Sequence, residues 1–167
     1  MAKNDEQNEL LFLEKTRIER FLDEIKNENA EFTDTIQVQV NLKGLDPRRD
    51  NKITKDISMP HKARNLAKTI VLADKDTAKV SGKIPYVLKD DDKVENIFQN
   101  ALKTYRLRVK DMSVTSFPIG DTKMNNEELY ENLKHGMSVV TAALKKGEEN
   151  IKNVFLKGAQ KAPKQVY

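Results

Sequence analysis

Gly44-Leu45-Asp46-Pro47-Arg48-Arg49-Asp50 is the segment of this chain whose residue types come nearest to a chemical function. Glycine, aspartate and proline form turns, and a turn here exposes two adjacent guanidiniums. Such a pair either grips oxyanions such as phosphate with its planar donor forks or stays a solvated turn charge. A second basic series, Arg106, Arg108 and Lys110, alternates with Tyr105, Leu107 and Val109, so one face of that strand is apolar and the other cationic. Solvent, RNA or a neighbouring protein could occupy the cationic face. A third series is the C-terminal run with Lys157, Lys161 and Lys164, in which no acid follows Glu149. All three suit polyanion binding better than bond making.

Catalysis has little to draw on. His61 and His135 are far apart, cysteine is absent and no glycine-rich phosphate loop is present, so no enzyme is expected. Asp90, Asp91 and Asp92 could attract a divalent metal, but acids at the entrance of a helix complement its positive end, which is the commoner reason for such a run. No metal or cofactor is expected. His61, after Pro60, is a candidate phosphate contact or turn cap, whereas His135 falls inside a helical pattern and reads as structural or exposed.

The charge distribution narrows the partner. The chain has 167 residues, 34% of them charged, and a formal net charge of +4. Residues 1–31 carry five basic and nine acidic side chains, so the rest of the chain holds a surplus of +8. RNA fits that surplus better than a membrane, because no basic amphipathic stretch has the aromatic anchors of an interfacial helix. No transmembrane span and no signal peptide is expected. The lack of cysteine fits a reducing compartment, with the cytosol as default.

The elements that must position these charges follow from periodicity. Residues from about Glu9 to Lys26 pattern as a helix with Leu11, Ile18, Phe21, Leu22 and Ile25 on one stripe and acids opposite. Ile36, Val38, Val40 and Leu42 alternate with Thr35, Gln37, Gln39 and Asn41, which predicts a strand with one buried face. A second extended piece runs from Ile53 to Met59. Leu66 to Ala73 and Ile84 to Leu88 are apolar extended segments, expected to pair with each other or to pack on the remaining sheet. A helix follows over Lys93–Lys103, with Asp92 and Glu95 at capping-box spacing. Pro118 to Asp121 reads as a turn. Asn125 and Glu128 cap a long helix through Leu129, Leu133, Met137, Val140 and Leu144, with Gly147 ending it. Ile151 to Lys157 is the last strand, and Gly158 to Tyr167 a basic tail. The whole reads as α+β: a two-layer sandwich, antiparallel sheet with helices on one side, of split β-α-β type.

The alternating strand, its Gly-x-Asp-Pro-Arg-Arg turn and the Pro60-His61 after it resemble the start of the universal large-subunit ribosomal protein family that builds the mobile stalk beside the tRNA exit site (family L-one, L-ten-a in eukaryotes). Gly82-Lys83-Ile84-Pro85 is similar to the motif that opens that family's return into its first domain. Pro163-Lys164-Gln165-Val166-Tyr167 is similar to its eukaryotic ending. The resemblance implies an N-terminal helix over 1–31 and one domain over 32–167, built from half-sequences 32–74 and 82–167. A few residues around Lys75 to Val80 stand where the family inserts a second domain.

The resemblance further implies rRNA contacts by Phe32 and Thr35, phosphate contacts by Lys43, Arg48 and Arg49, and a second group beginning at Lys157. The family's Ser/Thr-Thr-Met-Gly after that lysine is replaced here by Gly158-Ala159-Gln160-Lys161, which removes two hydroxyls and a methionine. Phe32 as a core aromatic is the plain alternative. The implied role is a structural, rRNA-binding component of the large subunit in the cytoplasm. Its implied partners are the rRNA stalk, other ribosomal components and the exit-site tRNA. The rival is a protein-interaction module that keeps the fold but has lost RNA binding.

Overall fold

A computed structural model describes residues 14–27, 33–46, 48, 53–63, 71–73, 85–87, 94–109, 113–158 and 162–167. In chain order the elements are α1 (Lys15–Asn27), β1 (Thr35–Leu42), β2 (Ile53–Ser58), β3 (Val71–Ala73), β4 (Pro85–Val87), α2 (Val94–Lys103), β5 (Thr104–Val109), β6 (Val114–Asp121), α3 (Asn126–Ala143), a 3-10 turn at Gly147–Asn150, β7 (Ile151–Lys157) and β8 (Lys164–Gln165).

The alternation in β1 organises the rest. Ile36, Val38, Val40 and Leu42 are all buried, and β1 lies inside a four-stranded sheet of order β6-β1-β7-β8. Each pairing in that sheet is antiparallel. Leu129, Leu133, Met137 and Val140 of α3 and Ile18, Leu22 and Ile25 of α1 join the same core as those β1 residues. Both helices therefore cover one face of the sheet, and the polar series of β1 is left on the other. This is the expected α+β arrangement. Expulsion of these side chains from water drives it, at about 1.5–3 kcal/mol for each fully buried large aliphatic or aromatic group.

α1 is held to the start of α3 by polar contacts as well. Lys26 donates to the Met124 carbonyl and to Asn126 Oδ1, and Asn126 Nδ2 donates to Asp23. Burial lowers the pKa of the Lys26 ammonium, an effect opposed by Asp23, Asp121 and Glu128. At the start of α3, Glu128 accepts from the Asn125 N–H at 3.1 Å, as the capping-box spacing implies.

The strands do not all share one ladder. β2 and β5 form a separate antiparallel pair, and β5 lies beside β6. β3 and β4 pair in parallel, Val71 with Pro85 and Ala73 with Val87, so the two extended segments do meet over these residues. The remainder of both segments, Leu11, Asp90 to Asp92, and Lys110 to Met112 lie outside the described residues.

Three local expectations need correction. Pro118 to Asp121 is the second half of β6, not a turn. The ladder slips between Ile36 and Gln37, next to Pro118, and β6 is an edge strand of its sheet, so the missing proline N–H leaves no inner ladder bond unmade. Gly147 does not end α3. The helix stops at Ala143, and Gly147, with φ +56°, opens the 3-10 turn. Ile151 to Lys157 is not the last strand, because the tail contributes β8. β8 adds to β7, and the Val154 N–H donates to the Tyr167 carbonyl at 2.9 Å while the Val166 N–H donates to the Val154 carbonyl at 2.9 Å. Lys164 reaches Glu24 of α1 at 3.0 Å, so the C-terminal segment ties the sheet edge to the first helix.

Candidate nucleic-acid interface

The register of β1 decides which of the basic residues can act together. Gln37 is opposite Lys157, and Thr35 lies two residues beyond at the same end. Cross-strand partners share a face, so Thr35, Gln37 and Lys157 gather on the sheet face away from the helices. Lys157 is exposed, and Gly158 behind it is buried. Residues from the two halves of the chain thus converge at one end of the central strand. Phe32, Ala159, Gln160 and Lys161, which flank this end in sequence, lie outside the described residues.

Lys43 and Arg48 belong to the opposite end. Thr35 and Lys43 are separated by the length of β1, about 25 Å at the usual strand rise. There the loop is built mainly by hydrogen bonds between side chains and backbone. The Asp46 carboxylate accepts from the Arg48 N–H at 2.9 Å, which gives the Asp in this turn its purpose and leaves the Arg48 side chain exposed. Arg49 is outside the described residues.

Asn150, which the motif reading missed, organises that end. Its Nδ2 donates to the Lys43 carbonyl at 2.9 Å, its carbonyl accepts from the Lys43 N–H at 2.8 Å, and its Oδ1 accepts from the Lys146 N–H at 2.9 Å. Lys43 and Lys146 are thereby brought together, both exposed. An asparagine between a turn glycine and a strand was the only sequence signal for this.

His61 joins neither end. Its ring nitrogen lies 2.6 Å from the Glu131 carboxylate, and its backbone N–H donates to Asn132 Oδ1 at 2.9 Å, both on α3. Asn132 is fully buried and also donates from Nδ2 to the Ile119 carbonyl at 2.7 Å. It sits between Leu129 and Leu133 in the apolar stripe, where a lone amide signals a buried connection.

The cationic face of β5 is partly neutralised. Arg106 donates from Nε to Asp56 Oδ1 at 2.7 Å and from Nη2 to Oδ2 at 3.0 Å, and the two residues are cross-strand partners. The hydrogen bonds from Arg106 hold the Asp56 carboxyl below the usual carboxylate range, with the charges of Arg106 and Arg108 assisting and burial opposing. A lowered folded pKa makes this pair stabilising above the unfolded aspartate's titration near pH ~3.9, and that stabilisation is lost as pH falls through the folded value. Because the Asp56 side chain is 45% exposed, the contribution is expected to stay under about 1 kcal/mol. Arg106→Ala should therefore flatten the acid limb of a stability-against-pH curve while changing the neutral-pH midpoint little, and an unaltered acid limb would refute this.

Comparison with known proteins agrees with this architecture. A profile of the ribosomal protein L1p/L10e family matches residues 77–160. Curated relatives with the name large ribosomal subunit protein uL1 include that of Encephalitozoon cuniculi, 34% identical over 219 aligned positions covering 100% of both chains. Another, from Pyrococcus horikoshii, is 23% identical and covers 75% of this chain and 83% of its own length. A third, from Oryza sativa subsp. japonica, is 19% identical and covers 96% and 98%. The 219 positions exceed the 167 residues present here, so part of the Encephalitozoon protein has no counterpart in this chain. With a profile spanning half its length and a full-length relative at that identity, the chain belongs to the ribosomal protein L1p/L10e family.

Proposed function

We propose that this protein is a constituent of the large ribosomal subunit in the cytoplasm that binds rRNA at the mobile stalk near the tRNA exit site. Family membership and the uL1 name of its relatives support the ribosomal part of this reading. The observation that carries the RNA part is the β1–β7 register, which sets Thr35 and Gln37 beside Lys157 from the far half of the chain. A hydroxyl, an amide and an ammonium on a rigid sheet can read ribose and phosphate positions without reading sequence. In this reading Phe32 and the segment Gly158-Ala159-Gln160-Lys161 also take part in the rRNA contact, and Lys43, Arg48 and Arg49 meet phosphates, with Lys43 and Arg48 at the other end of β1. His61, on the helical side, would serve a separate contact.

The role is positional. Clamping the stalk RNA would influence how it moves as deacylated tRNA leaves. In the same reading, 32–74 and 82–167 form one domain, and the connector between them replaces an inserted domain. The excess length of the alignment with the Encephalitozoon relative supports that.

The test is binding of a stalk rRNA fragment across a salt series. Log affinity should fall by roughly 0.7–0.9 per log unit of salt for each phosphate contacted. Lys157→Ala and the double change Arg48→Ala, Arg49→Ala should each reduce that slope, and their reductions should add because Lys157 and Arg48 lie at opposite ends of β1. Absence of RNA affinity even at low salt would overturn the proposal in favour of a protein-binding module.

A further inference from the structure

We infer that the sheet face turned away from the helices is a stacking platform for an unpaired RNA base, centred on Phe155. This rests on the rRNA reading above and adds a second mode of contact to it. Phe155 lies in β7, one of the two inner strands, directly opposite Gln39. Gln39 belongs to the polar series of β1, so the Phe155 ring is on the polar side of the sheet. The ring is half-buried and is not among the partly buried hydrophobics packed against the core. A phenylalanine in that position adds little to the core, yet it offers an aromatic surface at the middle of an open sheet.

Its neighbours match what a nucleotide presents. Gln39 Nε2 donates to Asn41 Oδ1 at 3.1 Å, and Asn41 Nδ2 to Asn153 Oδ1 at 3.5 Å. The amides are thus oriented in advance and keep spare donors and acceptors for base edges. On the other side of Gln39 is Ser116, exposed, with a hydroxyl suited to ribose. Lys157, two residues beyond Phe155 on the same face and exposed, supplies charge for a phosphate. None of these six side chains is acidic. A ring, neutral amides and one cation fit a base, its edge and its phosphate. An aromatic on an inner strand of an open four-stranded sheet is also how RNA-recognition sheets stack bases.

The experiment uses the full chain and two probes: a short single-stranded oligoadenosine containing 2-aminopurine, and the stalk rRNA fragment. Binding of the oligonucleotide should change the 2-aminopurine fluorescence. Phe155→Leu should lower its affinity about 10-fold or more, and Phe155→Tyr should retain it. Gln39→Glu, which sets a carboxylate opposite the ring, should weaken binding without touching the core. Unchanged affinity in Phe155→Leu and Gln39→Glu, or binding of the stalk fragment but not the oligonucleotide, overturns the platform and leaves the rRNA reading standing. That result would also be expected if the face seats a protein. Failure of the parent chain to bind either probe removes both readings.

Discussion

Replacing Asn132 with leucine should destabilise this protein by about 2–4 kcal/mol, read as a lower urea midpoint at an unchanged denaturant slope. The side chain is fully buried and joins three segments. Its Nδ2 donates to the Ile119 carbonyl of β6 at 2.7 Å, and its Oδ1 accepts from the His61 N–H at 2.9 Å. A leucine has the same branched shape but would leave a buried carbonyl without a donor and the His61 N–H without its acceptor. Each such group is worth about 1–3 kcal/mol, more than the added methyls return. His61→Ala supplies the contrast. It keeps the backbone bond to Asn132 and removes only the partly exposed ring contact with Glu131, so the loss should be under about 1 kcal/mol. Equal effects of the two substitutions would show that the ring, not the buried amide, holds the loop after β2 to α3.

Gly136→Ala should also destabilise, by about 2 kcal/mol, although a glycine in the interior of a helix normally gains from that change. Alanine is favoured over glycine there by about 1 kcal/mol. Here a Cβ would lie 2.3 Å from Phe117 Cε2 and 2.8 Å from Cζ. Phe117 is 1% exposed, so its ring has nowhere to move, and overpacking of about 1–3 kcal/mol or more exceeds the gain in helix propensity. Phe117→Leu in the same chain should relieve the clash. Thermal midpoints of the double variant should lie above those summed from the two single changes, a coupling of about 1–3 kcal/mol. Simple additivity would mean that α3 shifts away from β6 instead.

Much of this fold could be read from periodicity. The alternation from Thr35 to Leu42 marked both strand and buried face, and the Leu129, Leu133, Met137, Val140 spacing marked the long helix. Both patterns are local, and burial of a side chain every second or every third and fourth residue can be counted along the chain. The N-cap of α3 was legible for the same reason. Pro118 misled because proline is a turn former in isolation. Only its position on an edge strand, beside a slip in the ladder, lets β6 run through it. Gly147 misled similarly, since its positive φ serves the turn after the helix.

The candidate site was legible as residue types and not as a place. Lys157, Thr35, Lys43 and Arg48 were named through the family resemblance, but their division between two ends of one strand could not be read from it. Pairing register is set by which distant strands share a core, and that information is spread over both halves of the polypeptide. Asn132 and Asn150 were overlooked because an asparagine in sequence does not reveal which remote carbonyl it will satisfy.

The sequence by itself determined the α+β composition, the faces of β1 and α3, the basic surplus beyond the first helix and the family resemblance, all of which depend on residue type and short-range spacing. Only the tertiary structure decided that Lys157 stands beside Gln37, that the C-terminal segment closes a sheet edge and that Phe155 faces away from the core. The first and last of these come from antiparallel pairing of β1 with β7, more than a hundred residues apart, and the second from β8 folding back on β7; in each, hydrogen-bond register and a shared buried face select one arrangement.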